Sequence, residues 1–198
     1  MTYATLKTDV ASWLIDATAT NKIPSFIRLA EAAIRRDVRV PAMDATASAA
    51  LVAGVISLPA DFIEVKRLVI DGYVHEFKPA EVIQQMETDG YATSGSAGRY
   101  YTRIGQTLRV LNGGTSTYSL LYVAKFAELS GDSDTNWLLD NASDVYLFKS
   151  LHYGSAWLRD KAAAESYEAM YQGAVGALVL AERMSQFSGP LSMNVSGA

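Results

Sequence analysis

The sequence predicts an α+β protein: a mainly α-helical bundle with an antiparallel β region inserted into it and an extended C-terminal tail. Three observations lead there. Between Ile23 and Met43 apolar residues recur at three- and four-residue steps, the period of a helix with one buried stripe. From Ala49 to Phe126 that period gives way to short apolar runs punctuated by Ala53-Gly54, Asp71-Gly72, Gly105-Gln106 and Asn112-Gly113-Gly114, the pattern of strands joined by tight turns. The helical period then returns at Trp137. The chain therefore divides into N-terminal helices over 1–47, a β-rich insertion over 48–128, C-terminal helices over 129–187 and a tail over 188–198.

Taken in order, Thr2 to Ala17 reads as a first helix with Leu6, Val10, Trp13, Leu14 and Ala17 on one side. Thr18 to Lys22 is a short polar link, so this helix and the next should pack side by side, antiparallel. The second helix sorts its residues by face. Phe26, Ile27, Ala30, Ala33, Ile34 and Val38 form the stripe, while Arg28, Glu31, Arg35, Arg36 and Arg39 lie opposite, with Glu31 and Arg35 one turn apart. Pro24 suits the first turn and Pro41 stops the helix. Ala49 to Pro59 reads as a hairpin, Phe62 to Ile70 and Tyr73 to Phe77 as a second one across a type I′ turn, and Pro79 to Glu87 as a short helix. Tyr91 to Gly98 has the composition of a mobile loop. Arg99 to Ile104 and Thr107 to Leu111 form another hairpin, and Tyr118 to Phe126 alternates as a last strand. Leu138, Ala142, Val145, Tyr146, Lys149, His152, Ala156 and Trp157 share a broad helical face. A longer helix from Asp160 to Phe187 keeps Tyr167, Met170, Ala174, Leu178, Ala181 and Met184 in register, and Gly173, Gly176 and Ala177 leave a low-relief patch on it. Ser188 to Ala198 has no period and reads as an extended or disordered tail.

With 198 residues and 49% hydrophobic content the chain can bury a proper core. A net charge of −4 disfavours a pervasive nucleic-acid-binding surface and leaves a local basic stripe possible. Cysteine is absent, which excludes disulfides, thiolate metal sites and cysteine nucleophiles. The first twenty residues lack the pattern of a signal peptide and no stretch is long and apolar enough to span a bilayer, so a soluble protein made in a cytoplasm, with no membrane partner, is expected.

Signatures of catalysis are missing or broken. Ser96 lacks the glycine spacing of a nucleophile elbow, since position 94 is Ser, and no phosphate-binding or dinucleotide-binding glycine pattern occurs. Asp132, Asp134 and Asn136 begin like a calcium loop, but Trp137 stands where glycine is needed and Ser143 where the bidentate glutamate belongs. His75 and His152 have no second histidine or carboxylate at ligand spacing, so packing roles are expected. Tyr100, Tyr101, Tyr118 and Tyr122 read as cross-strand pairs in preference to base-stacking platforms. No catalytic, cofactor-binding or metal site is expected.

Four stretches in order nonetheless resemble one family: IPSFIRLAEAAIRRDVRV at 23–40, ISLPADFIEVKRLVIDG at 56–72, RYYTRIGQTLRVLNG at 99–113 and TNWLLDNASDVYLFKSLHYGSAWLRDKAAAESYEAMYQGAV at 135–175. The chain resembles the head-to-tail adaptor (connector) proteins of tailed bacteriophages. That resemblance implies a structural virion protein of the neck, with a helical bundle and inserted β region, assembled as a homo-oligomeric ring, a dodecamer in the virion. The ring would bind the portal protein above and tail or nozzle proteins below, and passing double-stranded DNA would touch it transiently. It implies no enzyme activity and no cofactor. The tail would reach the portal, with Phe187, Leu191 and Met193 as apolar contacts, and the Arg28, Arg35, Arg36, Arg39 face as a second partner surface. Rival readings are another neck or tail-completion protein of the virion, and a DNA-binding module using those four arginines.

Overall fold

The structure, a computed structural model, describes residues 1–91 and 98–186. It is mixed α/β, 49% helix and 23% strand. The chain forms two compact units: residues 1–42 together with 126 onward, and residues 43–125.

The first unit is helical. Helix α1 spans Tyr3–Leu14, opened by a capping box in which the Thr5 amide donates to Thr2 Oγ1 at 3.4 Å and the Thr2 amide donates to Thr5 Oγ1 at 2.9 Å. It ends three residues before Ala17. Ile15 turns into the left-handed region at φ 52°, and Asp16 Oδ1 accepts from the Thr18 amide and hydroxyl at 2.7 and 2.5 Å, a local turn that competes with another helical turn. Helix α2, Ile23–Asp37, buries Ile23, Phe26, Ile27, Ala30, Ala33 and Ile34, the expected stripe plus its first residue. It stops well short of Pro41, because Val38 is already extended at ψ 129° yet fully buried.

Helix α3, Ala80–Thr88, belongs to the second unit. In the first, helix α4 is Trp137–Asn141, helix α5 Ser143–Trp157 and helix α6 Lys161–Gln186. Ala142, at φ −147° and ψ 61°, breaks what sequence periodicity reads as one continuous helical face. Buried Asn136 caps α4 by accepting from the Leu139 amide at 2.9 Å and donates to Ala127 O at 2.7 Å and Tyr146 Oη at 2.9 Å. Three separate pieces of chain are thereby tied to one side chain. Helix α5 is the centre of the unit, buried at Val145, Tyr146, Lys149, Ser150, Leu151, Gly154 and Ser155, and α1, α2 and α6 all pack on it. The expected side-by-side pairing of α1 with α2 is correspondingly slight, because each finds more apolar surface on α5 than on the other. A Cβ at Gly154 would come within 2.7 Å of Leu14 Cδ1, so the glycine is what lets α1 approach.

The second unit is a curled seven-stranded sheet in the order β1-β7-β3-β4-β5-β6-β2. Its strands are β1 Asp44–Ala50, β2 Val55–Ser57, β3 Phe62–Ile70, β4 Tyr73–Phe77, β5 Tyr100–Ile104, β6 Thr107–Val110 and β7 Thr117–Ala124, with α3 at Ala80–Thr88. Asp71 and Gly72, at φ 49° and 83°, make the expected type I′ turn between β3 and β4. Ala53-Gly54 also turns with positive φ, at 51° and 75°, but the predicted hairpin shrinks to a single bridge, Val52 to Val55. Beyond that bridge its arms part: β1 joins β7 and β2 joins β6. Pairing is antiparallel throughout except that β4 and β5 run parallel at Glu76 with Tyr100 and Phe77 with Tyr101, a crossover that α3 permits. The core gathers Leu51, Ile56, Leu68, Ile70, Tyr101, Leu108, Val110, Tyr118, Leu120 and Tyr122. The tyrosines do not pair with one another, but two of them meet aromatic rings of neighbouring strands. Tyr101 in β5 lies opposite Phe77 of β4 in an edge-on contact, ring centres 5.9 Å apart, and Tyr122 in β7 stacks on Phe62 of β3 at 5.8 Å, while Tyr118 lies between Ala49 and Ile70.

Candidate functional site

The candidate surfaces lie on the helical unit. Arg28, Arg35, Arg36 and Arg39 are all exposed on α2 and the turn after it, as the period requires. Their roles divide. Arg35 Nη2 bonds Glu128 Oε1 at 3.0 Å, and Arg39 Nη1 donates to the Arg35 and Val38 carbonyls at 2.8 and 2.7 Å, closing orphan acceptors at the end of the helix. Glu31 accepts from the Leu129 amide at 2.9 Å, so Glu31 and Arg35 both hold the 128–129 segment. Arg28 and Arg36 have no ion-pair partner among the described residues and stand about 12 Å apart along the helix axis. Of the four, those two are the ones whose guanidinium groups no described contact inside the unit engages.

Beneath this face lies a polar cluster that the sequence does not announce. Lys149, only 6% exposed, bonds Glu168 Oε2 at 2.7 Å and sits 4.3 Å from the centre of the Tyr171 ring. Tyr171, fully buried, donates to Asp37 Oδ2 at 2.9 Å, which links α6 to the last residue of α2. His152 Nδ1 donates to the Ala164 carbonyl at 3.0 Å and lies 3.6 Å from Glu168, a carboxylate that sequence spacing could not supply because it comes from another helix. Burial raises the Glu168 carboxyl, but the hydrogen bonds from Lys149 and Gln172 and the nearby charges outweigh it and hold the group below its ordinary value. Burial, then the bond to Asp37, pushes the Tyr171 phenol far up, and burial does the same to Tyr146. The side chains of α5, α6 and the end of α2 thereby hold one another and tie the helices together. His75 in β4 has its own partner, the Tyr73 carbonyl at 3.0 Å, and burial lowers its pKa.

The acidic residues of the would-be calcium loop are likewise engaged. Asp132 pairs with Lys7 at 2.5 Å, and Asp134 Oδ2 accepts from the Ser130 and Gly131 amides at 2.9 and 2.7 Å and from the Ser130 hydroxyl at 3.0 Å. Those bonds, the Gly131 amide first, lower the Asp134 pKa. Among the described residues no group of three or more metal-ligating side chains occurs, and no helix is long and apolar enough to cross a membrane.

Helix α6 also exposes apolar side chains. Ala164 and Tyr171 are its only fully buried residues, and Ala174, Val175, Leu178, Val179 and Glu182 continue that stripe half-buried. Met170, Leu180 and Met184, at 46, 60 and 67% exposure, lie on the other side with Gly173, Gly176, Ala177 and Ala181. The single register expected from sequence thus splits in two, because Met170, Ala181 and Met184 fall off the packed stripe. Phe187, Leu191 and Met193 of the expected tail, and Ser96 of the glycine-serine loop, lie outside the described residues.

A family model described as the SU10 adaptor protein matches residues 1–194, both units and nearly the whole chain. The chain belongs to the SU10 adaptor protein family. This is a family of phage head-to-tail adaptors, in agreement with the resemblance carried by the four sequence stretches. No curated protein matches the adaptor chain. For an adaptor, the residues of interest are those that meet partners, and in this family member sequence reasoning found the arginine face but not its division into two internal and two outward cations. Only the contacts made by Glu128 and by the α2 carbonyls reveal that division.

Proposed function

We propose that the chain is the head-to-tail adaptor of a tailed-phage virion, a structural protein that assembles as a ring beneath the portal, joins capsid to tail and lines part of the genome channel. The match of the adaptor family over residues 1–194 carries this reading. Family membership points to association with portal and tail proteins and to the virion neck. The finer picture adds a dodecameric ring, a helical bundle formed by residues 1–47 and 129–187 as its frame, and the 48–128 insertion facing neighbours or tail. The 188–198 tail, with Phe187, Leu191 and Met193, reaches the portal, and the Arg28, Arg35, Arg36, Arg39 face is a second contact. A net charge of −4 supports a channel lining that does not grip passing DNA. The polar cluster of α5 and α6, in which each group is held by another, supports work by contact in place of chemistry.

The deciding experiment measures the mass of the purified chain by light scattering or sedimentation, alone and mixed with portal rings, followed by imaging of the mixture. A ring of added copies is expected, lost on truncation after Gln186. A chain that ignores the portal yet binds duplex DNA with strong salt dependence, weakened by Arg28→Ala and Arg36→Ala, would sink the adaptor reading in favour of the DNA-binding module. Attachment elsewhere in the neck would make it a tail-completion protein.

A further inference from the structure

At the end of the curled sheet where β3 and β6 finish and β4, β5 and β7 begin lies a cavity of about 270 Å³. Its apolar wall is made by buried Ile70, Val110 and Leu111, and Asp71, His75 and Arg99 line it as well. Apolar walls with a few convergent polar groups at the mouth of a curled sheet are the usual make-up of a small-molecule site. The polar groups here are unanswered. Arg99 Cζ stands 3.4 Å from the centre of the Tyr73 ring, so the guanidinium lies over the ring face to face and its N–H donors find no acceptor among the described residues. The backbone behind it is fixed to β4, because the Glu76 amide donates to the Arg99 carbonyl at 2.8 Å. The Asp71 carboxylate makes no hydrogen bond or ion pair among the described residues either. The charges of Arg99 and Asp71 both act on the His75 ring, in opposite directions, which sets both beside it, yet the two do not pair with one another. His75 Nδ1 faces the Tyr73 carbonyl and so carries the proton, which leaves Nε2 an acceptor without a partner.

We propose that this cavity binds a small zwitterion of the α-amino acid class with a short apolar side chain, its carboxylate on Arg99, its ammonium on Asp71 and its side chain against Ile70, Val110 and Leu111. Size sets the first limit. A cavity of about 270 Å³ has room for roughly nine waters, and so for a ligand of about that many non-hydrogen atoms. Charge sets the second. The site holds one cation and one anion that do not satisfy each other, and burial keeps the His75 pKa below its ordinary value, so the ring is neutral at pH 7 and adds no third charge. A bare carboxylate would answer Arg99 and leave Asp71 beside a second negative charge. A bare ammonium would do the reverse, and a phosphate would bring about two negative charges to a site whose single cation Asp71 already balances. A zwitterion answers both ends. The stacking on Tyr73 holds the planar fork of Arg99 in one orientation, the arrangement that receives a carboxylate through two parallel hydrogen bonds. His75 Nε2 can accept a further ammonium proton. The site lies wholly within the β unit, and the adaptor reading neither requires nor supplies it.

The test uses the full chain without any portal, so it stands or falls separately from the adaptor reading. The chain has two histidines, and their ring signals in a nuclear magnetic resonance titration report separately on the cavity and on the helical unit. Added alanine should shift the His75 signals along a saturable curve in the millimolar range or below while those of His152 stay in place. Lactate, which carries a hydroxyl where alanine carries its ammonium, should bind more weakly by about tenfold or more. Arg99→Gln, at an exposed position, should weaken both ligands by about tenfold or more with unchanged far-ultraviolet circular dichroism. Asp71→Asn keeps the fold, since asparagine suits the positive φ of that turn, and should weaken alanine while leaving lactate unchanged. No saturable shift with alanine overturns the proposal. So does equal binding of alanine and lactate, or a His75 shift that survives Arg99→Gln, the mark of a general ionic effect on the ring.

Discussion

Ser150 illustrates how much a single buried atom reveals. Its hydroxyl is fully buried on α5 and finds no hydrogen-bond partner among the described residues. Replacing it removes a polar group that folding has desolvated without return, so Ser150→Ala should leave stability unchanged or raise it by about 1 kcal/mol in urea titration. Lys149 presents the opposite case. It is as deeply placed but answered by Glu168, whose own side chain is 32% exposed. Glu168→Gln leaves a buried ammonium without its counter-ion and should cost about 2 kcal/mol, below the full value for a buried pair because solvent reaches the carboxylate side. Lys149→Met together with Glu168→Leu should recover most of that loss. On the surface, Arg28→Ala and Arg36→Ala should change stability by no more than about 0.5 kcal/mol. These arginines are visible in sequence; the buried pair is not, because lysine and glutamate nineteen positions apart carry no local signal.

At the scale of elements, α6 and the ionisable groups it shares with α5 carry the sharpest expectations. Gly173→Ala and Gly176→Ala place a methyl group in open space, and each should stabilise the helix by about 1 kcal/mol in thermal unfolding of the dilute chain. The pH profile follows from the same helices. Glu168, its folded pKa depressed, contributes stability that is present above its unfolded value of 4.5 and is lost as pH falls below it. Tyr146 and Tyr171, whose folded pKa values are raised, work the other way. Their unfolded forms release protons from about pH 10 upward while the folded forms retain them, so stability falls through the alkaline range. Unfolding midpoints measured from pH 3 to 11 should therefore fall at both ends, and Tyr171→Phe should flatten the alkaline fall while losing the bond to Asp37. Element boundaries depart from periodicity for identifiable reasons. Asp16 caps a turn where α1 would continue, Val38 is buried as an extended residue, and Ala142 breaks the face that α4 and α5 were expected to share.

At the scale of the whole molecule the division of labour is between cohesion and contact. Both histidines, the loop aspartates and the tyrosines of the sheet have partners within their own unit. Among the described residues of the helical unit, Arg28 and Arg36 and the Met170, Leu180 and Met184 side chains of α6 point outward. Portal rings mixed with the purified chain should gain a ring of copies, and a chain truncated after Gln186 should fail to add them.

By itself the sequence determined the order of helical and extended segments, the stripe and basic face of α2, the Asp71-Gly72 turn and the family resemblance, because each is encoded in neighbours a few positions apart. Tertiary structure decided the rest. It sent the arms of the Ala53-Gly54 turn to different strands, made β4 and β5 run parallel, drew α1 and α2 onto α5, and buried Lys149 against Glu168. Each of those outcomes depends on competition among distant surfaces for the same apolar or ionic partner, and a local pattern records what a segment can bury but not which segment buries it.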